Sequence, residues 1–440
     1  MAVMVLLLSS CSDDAFHRVV PADSAAVVAI DVAQASGVGN RWLLSALLHA
    51  KNLDDSGVDL SGKAYLFETS DGDIGACLRV ADSGKLENFI SGLTAKGKAE
   101  SMDRRSGFGF VVLNHEFLVG YTDDALLIIG PVAQNQCRNM QKRMVKWLKQ
   151  GSDAHASSPI FARLDSLDGP MAMVAKVSAL PDRVAAPLML GAPRGTEPSE
   201  VGFSAVMNRK GKCLLMDGHT FGLKSQTDKA IKAAATGFRK LEGTFYNYMA
   251  KHSSMAFMVN VDGKQFLPMM QANKALQAML AGANAAIDMD NIVRSVNGDL
   301  VVIGQGPSQD NGRFSMFATL EGIPWLSDVG YWKSSCPQGA RIDDSGDNSW
   351  RYTSGNTAFT FSVSDDYRFY CGSALQAPWE EGDGKRYGLS ENVTEWIEGH
   401  RMVLLADLYS LISNSTANPT MRSVLAMLFA KTDMLVCILD

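Results

Sequence analysis

The sequence has no apolar run that approaches the roughly 20 residues needed to cross a bilayer as a helix, so it does not predict a transmembrane protein. It also has no excess of basic residues: 41 Lys and Arg stand against 47 Asp and Glu, a net charge of −6. That charge does not attract phosphates, so nucleic acid is not an expected partner. With 46% of its 440 residues hydrophobic, the chain can build large cores, and its length predicts two domains.

Motifs for catalysis and cofactor binding are also missing. The seven histidines are scattered, with no HExxH or other paired spacing that would place two imidazoles on one metal. No GxSxG elbow, P-loop or dinucleotide-binding glycine pattern occurs. The sequence therefore assigns no catalytic residue, no metal ligand and no cofactor, and it favours a non-enzymatic protein.

The seven cysteines form no CxxC pair and suggest no disulfide framework. Four of them lie inside apolar segments typical of strands, where a buried free thiol behaves as a small hydrophobic residue. These four are Cys77, Cys213, Cys371 and Cys437, and we expect free thiols there.

The N-terminal segment is typical of an exported protein. Met1 to Ser10 reads MAVMVLLLSS, a short apolar stretch that ends in small residues directly before Cys11. Leu8-Ser9-Ser10-Cys11 resembles a bacterial lipobox, which implies cleavage before Cys11 and acylation of that residue; the alternative is an ordinary cysteine between apolar residues. No Lys or Arg precedes Arg18, so the usual basic n-region is missing and we expect the true start codon to lie upstream.

The residues after Cys11 bear on location. Ser12-Asp13-Asp14 resembles the acidic export signal of Bacteroidetes lipoproteins. This implies a protein that its lipid anchors to the outer membrane, on the cell surface. An acidic solvated tether on a lipoprotein that faces the periplasm is the alternative.

Two parts of the chain share a pattern in the same order. The strand-like segment Ser24 to Val32 has a counterpart in Ser253 to Val261, and a helix-like apolar segment follows each, at Arg41 to Ala50 and at Pro268 to Ile287. Further on, the pattern Asn-x-x-Phe-x5-Asp-Asp occurs twice at one constant offset, ending in Asp123-Asp124 and in Asp365-Asp366. These matches predict an internal duplication.

The duplication gives the predicted domain boundaries: residues 1–18 are a lipoprotein signal peptide and tether, 19–225 the first repeat, 226–251 a connecting helix and 252–440 the second repeat. Thr227 is the expected cap of the connecting helix, whose apolar stripe runs from Ile231 to Tyr248. Turn signals such as Ser70-Asp71-Gly72-Asp73 predict hairpins. Each repeat is therefore expected to be α+β, a mainly antiparallel sheet layered with helices.

The end of the second repeat lacks a counterpart to one strand. Met434 to Leu439 matches Phe203 to Met207, but nothing after it matches the following strand, Cys213 to Leu223. An apolar strand left at a sheet edge is an association hazard. We therefore expect either that the second repeat is truncated and the native chain continues past Asp440, or that another segment covers this edge.

The first repeat also carries an additional segment, Gln134 to Gln150, with apolar residues at helical spacing on one face and basic residues on the other. Such a helix can lie on an anionic membrane or on a partner. The interpretation we favour is a surface helix that packs on its own sheet.

The chain resembles an uncharacterised Bacteroidetes lipoprotein family, domain of unknown function 4836. The features that carry the resemblance are a lipidated cysteine, the short tether Val20 to Ser24 that leads into a strand, a helix, and two copies of an α+β unit. The resemblance covers nearly the whole mature chain. Its motifs are structural, so it implies a fold and a location and transfers no active-site residue.

Three remaining patterns invite a chemical interpretation. The two Asp pairs could act as acid and base, but neighbours on a strand point to opposite faces and Asp favours turns, so hairpin turns are predicted. Ile342 to Asn348 is rich in oxygen ligands but lacks the glutamate that completes an EF-hand loop. Trp379 and Trp396 could stack on sugars, although Trp is more often a core residue.

Together these features predict a lipid-anchored cell-envelope protein that binds a protein or glycan partner. The alternative is an envelope hydrolase with an unrecognised active site. The two differ in structure, because a hydrolase needs a deep pocket with converging polar groups, whereas a binding module presents a groove or an exposed patch.

Overall fold

The computed structural model describes residues 15–31, 45, 53–248, 253–305, 313–379, 389–413 and 432–440. The chain forms two compact units, Met1–Val174 and Ala175–Asp440. The predicted α+β class is confirmed, since the strands form mostly antiparallel pairs and helices accompany them. The sequence placed the boundary in the connecting segment 226–251, whereas the two compact units divide between Val174 and Ala175.

The strands of the first unit are β1 (Ala26–Asp31), β2 (Lys63–Glu68), β3 (Ile74–Arg79), β4 (Asp103–Arg105), β5 (Phe108–Leu113), β6 (Phe117–Tyr121), β7 (Ala125–Ile129) and β8 (Met171–Lys176), which runs across the boundary. Its helices are α1 (Ser83–Ala95), α2 (Cys137–Leu148), α3 (Ser152–Ala156) and α4 (Pro159–Leu164). A 3-10 turn at Ala15–Val19 precedes β1.

The first sheet is antiparallel, with pairing order β4-β5-β6-β7-β3-β2-β1. Beyond β1, the Asp31 N–H donates to the carbonyl of Pro170, directly before β8. Helix α1 begins at Asp82, whose carboxylate accepts from Lys85 N at 2.9 Å. Its buried residues, spaced by three and four, pack on the inner face of β5, β6 and β7.

The strands of the second unit are β9 (Val201–Lys210), β10 (Cys213–Gly222), β11 (Ser253–Asp262), β12 (Val296–Gln305), β13 (Arg313–Leu320), β14 (Ala340–Gly346), β15 (Ser349–Ser354), β16 (Thr357–Val363), β17 (Arg368–Gly372), β18 (Met402–Asp407) and β19 (Met434–Leu439). Its helices are α5 (Asp182–Leu188), α6 (Ser225–Ala235), α7 (Gly263–Ala272), α8 (Lys274–Asn284), α9 (Met289–Arg294), α10 (Val329–Ser334), α11 (Glu391–Ile397) and α12 (Leu408–Ser413).

The second sheet has the pairing order β14-β15-β16-β17-β13-β12-β11-β18-β19-β10-β9. Every pair is antiparallel except β10 with β19, which is parallel. Strand β10 therefore has two neighbours, β9 on one side and β19 on the other. The edge of Met434–Leu439 is thus covered by another segment, which is one of the two outcomes that the sequence predicted.

Two predicted helices differ from the observed ones. The connecting helix ends at Ala235, and Thr227 lies buried inside α6 instead of capping it, because the helix begins two residues earlier, at Ser225. The segment Pro268 to Ile287 is not one helix, since the Asn273 side chain accepts from Ala275 N and Leu276 N and begins α8. The cap interrupts the chain of helical hydrogen bonds between α7 and α8.

Several predictions about the N-terminal region cannot be compared with the structure. The lipidation residue Cys11, the acidic Ser12-Asp13-Asp14 and the helix over Arg41 to Ala50, apart from Ser45, lie outside the described residues. Within the described residues, no helix is long and apolar enough to cross a membrane.

Candidate functional site

The segment that leads from the N-terminus into β1 is fixed to the first unit. In its 3-10 turn, Phe16 and Val19 are buried, and Val20 after it has no exposed surface. The ring of Phe16 lies edge-on to Tyr65, with centroids 5.7 Å apart. The segment therefore contributes to the core of the unit.

Three side chains hold the backbone of this segment through its carbonyl oxygens. Gln150 Nε2 donates to Arg18 O at 2.9 Å and to Val20 O at 3.0 Å. His155 Nε2 lies 2.7 Å from Val20 O, and Ser158 Oγ donates to Ala22 O at 2.8 Å. We call Gln150, His155 and Ser158 the N-terminal seat; they lie at and after the end of α2.

The protonation state of His155 follows from its partner. A carbonyl oxygen only accepts, so Nε2 carries the proton and Nδ1 is bare; Nδ1 is buried without a hydrogen-bond partner. Burial lowers the pKa of His155, and the nearby His17 lowers it further. The hydrogen bond to Val20 raises this pKa, but the net shift is downward. The imidazole is therefore neutral at pH 7.

Aromatic stacking completes the seat. The His155 ring lies 3.6 Å from the Phe161 ring between centroids. His17 stacks on Tyr65 at 5.2 Å and lies 5.3 Å from His155. The sequence analysis treats His17 and His155 as scattered histidines, because residues 138 positions apart carry no local signal that the fold brings their rings together.

Helix α2, which precedes the seat, is the amphipathic helix that the sequence predicted. Its residues Met140, Met144 and Leu148 are buried, and Met144 packs over Gly120 in β6. A Cβ at Gly120 would lie 3.0 Å from Met144 Cε. The interpretation of a surface helix packed on its own sheet is confirmed.

The charged face of α2 has one paired cation. Arg143 Nη1 lies 2.5 Å from Asp73 and Nη2 lies 2.8 Å from Asp71, while its guanidinium is 5.0 Å from the centroid of Trp147. The other basic residues are exposed and form no ion pair with any described residue: Arg138, Lys142, Lys146 and Lys149.

The two Asp pairs lie in hairpin turns, as predicted. Asp123 and Asp124 are the two residues between Thr122 and Ala125, whose backbones are hydrogen-bonded at 2.9 Å. Asp365 and Asp366 lie in the turn between β16 and β17. Neither pair is arranged for acid–base chemistry.

The oxygen-rich segment Ile342 to Asn348 forms the end of β14 and its turn. Asp343 pairs with Arg341 at 2.7 Å and Asp344 with Lys333 at 2.5 Å, so these carboxylates face cations of the chain itself. In the described part of the chain, no group of three or more His, Cys, Asp or Glu residues could hold a metal ion.

The two tryptophans considered for glycan stacking have protein neighbours. Trp379 packs edge-on to Tyr370, Phe317 and Tyr248, with centroid distances of 6.1, 6.4 and 6.2 Å. Lys210 lies over the ring of Trp396 at 5.5 Å. Both residues pack against a hydrophobic core cluster of the second unit, which is the core role that the sequence favoured.

The cysteines in the described part of the chain are free thiols. Cys77, Cys371 and Cys437 are buried, and burial raises the pKa of Cys371 and of Cys437 to about 12. These thiols are therefore unreactive core residues at neutral pH. Cys213 is only partly buried.

A buried carboxylate in the second unit had no signal in the sequence. Asp299, in β12, is 1% exposed and accepts from Glu242 N at 3.0 Å, from Thr244 N at 3.1 Å and from Asn260 Nδ2 at 3.1 Å. It fixes the backbone of the segment that follows α6. Closer to the helix end, Arg239 N donates to Asn260 O at 2.9 Å, so the chain after Ala235 pairs with distant residues and does not continue the predicted connecting helix.

The neighbour of that carboxylate is Tyr246, whose hydroxyl is buried without a hydrogen-bond partner. Burial, with the charges of Asp299 and Glu398, raises the pKa of Tyr246 to about 12. The phenol is therefore neutral at pH 7.

Comparisons with known proteins give a family and weak structural neighbours. Two solved structures are similar to the chain. Crystal form IV of TP0453 has 12% sequence identity and a TM-score of 0.26, and the match covers 43% of this chain and 73% of that one. Crystal form III of TP0453 has 8% sequence identity and a TM-score of 0.23, and the match covers 80% of this chain and 90% of that one. None of the curated proteins matches the chain. The model of domain of unknown function 4836 matches residues 48–377. The chain therefore belongs to the family defined by domain of unknown function 4836.

Proposed function

We propose that this protein is a lipid-anchored component of the bacterial outer membrane, exposed on the cell surface, and that it binds an envelope protein or glycan. The observation that supports this most directly is the N-terminal seat. A chain that follows a lipidated Cys11 enters the folded body at Arg18 and Val20, whose carbonyls Gln150 holds at 2.9 and 3.0 Å.

The seat limits how far such a body can lie from its anchor. Arg18 lies seven positions after Cys11, and an extended chain spans at most about 3.5 Å per residue. The point at which the chain enters the first unit would therefore stay within about 25 Å of the membrane surface. A short connection of this kind favours a body that works at the membrane over one that reaches far from it.

The proposal includes descent from an internal duplication. In its support, the pairing order β4-β5-β6-β7-β3-β2-β1 in the first unit recurs as β14-β15-β16-β17-β13-β12-β11 in the second. Asn114 and Asn356 both lie in the turn between the equivalent strands of these meanders. The same pairing order of seven strands in both units favours a common origin of the two units.

The test of the proposal is fractionation of cells that express the native gene with Cys11→Ser. We expect the wild-type protein to remain with the membrane after a high-salt wash and the variant to be released, because acylation would supply the anchor. Cys137→Ser is the matched control, since Cys137 is a partly exposed cysteine that lies in α2. Retention of the Cys11→Ser protein after the salt wash, or the absence of palmitate label from the wild type, would contradict lipid anchoring.

A further inference from the structure

The exposed side of α2 and the residue that caps its C-terminus carry four cations at helical spacing: Arg138, Lys142, Lys146 and the cap residue Lys149. The first three are separated by four residues each and lie one above the other on the helix surface. We call these four residues the basic face. The opposite side of the helix, with Met140, Met144 and Leu148, is buried in the first unit.

The basic face is not neutralised by the described part of the chain. The aspartates beside the helix, Asp71 and Asp73, are both paired with Arg143, and Glu100, near the start of the helix, pairs with His115 at 3.2 Å. None of the four cations forms an ion pair with a described residue. This local positive charge stands on a protein with a net charge of −6, so it does not follow from the overall composition.

The basic face lies next to the point where the N-terminal segment enters the body. Gln150, directly after Lys149, donates to the carbonyl of Arg18, and Arg18 is itself exposed. Seven residues before Arg18 lies Cys11. A lipid on Cys11 would therefore hold the basic face within reach of the headgroups of the membrane in which that lipid sits.

From this arrangement we infer that the basic face of α2 binds the anionic phosphate headgroups of the anchoring membrane and so orients the first unit on its surface. The inference rests on the proposed lipid anchor for its location. Because the apolar face of α2 is occupied by the core, the helix cannot insert into the acyl region, and the interaction is electrostatic and superficial. An anionic bilayer fits the four cations better than a single small ligand, since they extend over three turns and converge on no common point.

The experiment uses Cys11→Ser protein, which lacks the lipid, and sedimentation with vesicles of phosphatidylcholine alone or mixed with phosphatidylglycerol. We expect binding to the mixed vesicles at low salt, little binding to the neutral ones and loss of binding as salt screens the charges. Each basic residue near an anionic surface contributes about fivefold to partitioning. The variant Arg138→Glu/Lys142→Glu/Lys146→Glu/Lys149→Glu should therefore bind at least about a hundredfold more weakly.

The matched control is Lys85→Glu/Lys96→Glu/Lys229→Glu/Lys240→Glu, which changes the net charge by the same amount at exposed positions outside α2. Far-UV circular dichroism and a thermal melt establish that both variants are folded. Equal loss of binding in the two variants would show a nonspecific charge effect and overturn the inference. So would equal binding to neutral and anionic vesicles, or no binding to either.

The outcome is separable from that of the proposed function. If lipid anchoring is wrong, the wild-type protein is released from the membrane fraction of cells. If the inference about the basic face is wrong, the Cys11→Ser protein, which has no lipid, fails to bind anionic vesicles through that face. Either result can occur without the other.

Discussion

His155 and Val20 lie 135 positions apart in the chain, yet the imidazole Nε2 is 2.7 Å from the carbonyl oxygen of Val20. This contact fixes the tautomer, and it leaves Nδ1 buried and unpartnered against the Phe161 ring. A proton added at Nδ1 would create a buried cation without a hydrogen-bond acceptor. The attachment of the N-terminal segment is therefore coupled to pH.

The first prediction is that acid loosens this segment. Burial lowers the pKa of His155 below its ordinary value of 6.5, so the unfolded state binds more protons than the folded state below pH 6.5. The contribution of this residue to stability is complete above that pH and falls as the pH decreases toward the lowered pKa of the folded state. Trypsin cleavage after Arg18 requires the segment to detach. The rate of this cleavage, divided by the rate of trypsin on a free peptide at the same pH, should be higher at about pH 5.5 than at about pH 7.5.

His155→Gln keeps a donor for Val20 and removes the titration, so its cleavage rate at Arg18 should depend less on pH than that of the wild type. His115→Gln is the control, because the side chain of His115 is 76% exposed. An identical pH dependence of cleavage in the wild type and in His155→Gln would rule out His155 as the titrating group.

The second prediction concerns Asp299. Replacement by Ala leaves Glu242 N, Thr244 N and Asn260 Nδ2 without their acceptor in a buried region, and such donors cost about 1–3 kcal/mol each. We expect Asp299→Ala to lower the free energy of unfolding by about 3 kcal/mol. Urea unfolding followed by tryptophan fluorescence measures this, since Trp325 and Trp350 lie in the same unit.

Asp262→Ala is the matched control for that measurement. Asp262 accepts from Lys264 N at 2.9 Å and caps α7, and the loss of such a cap costs about 1 kcal/mol. If the two variants lose the same stability, Asp299 has no role beyond that of an ordinary cap.

The third prediction tests the parallel pairing of β10 with β19. Met216 lies opposite Cys437, and both side chains are buried. Paired strands are about 4.8 Å apart, within the range of Cα separations that a disulfide bridges. Met216→Cys should therefore form a disulfide with Cys437 when the protein refolds under oxidising conditions, before both thiols are buried. The product is measured as a cross-linked peptide by mass spectrometry under nonreducing conditions.

Leu215→Cys provides the comparison, because Leu215 lies opposite Val436 and successive side chains point to opposite faces of a sheet. It should not cross-link to Cys437. Cross-linking of Leu215→Cys in place of Met216→Cys would indicate a register shifted by one residue.

Local patterns in the sequence were sufficient for the strands and turns. The loop around Gly72, with a φ of 85° at that residue, is a hairpin turn as predicted. The pair Gly211-Lys212, with a φ of 59° at Gly211, forms another hairpin turn between β9 and β10. The Asp pairs lie in turns for the same reason, since turn preferences depend on a few neighbouring residues.

Helix ends were less predictable. The apolar spacing after Ile231 continues as if the helix persisted to Tyr248, but beyond Ala235 the backbone donates to distant acceptors in competition with a helix: Arg239 N to Asn260 O and Glu242 N to Asp299. That competition involves a residue more than 50 positions away. No window of sequence around Ile231 contains it.

By itself, the sequence determined the α+β class, the strand and hairpin positions and the family, because alternation of apolar residues and turn chemistry act within short segments. Only the tertiary structure decided that β10 covers the edge of β19, that the rings of His17 and His155 lie 5.3 Å apart, and that Gln150, His155 and Ser158 hold the N-terminal segment. These are contacts between residues far apart in the chain. Their formation depends on how whole elements pack, a free energy that is summed over the fold and leaves no local pattern in the sequence.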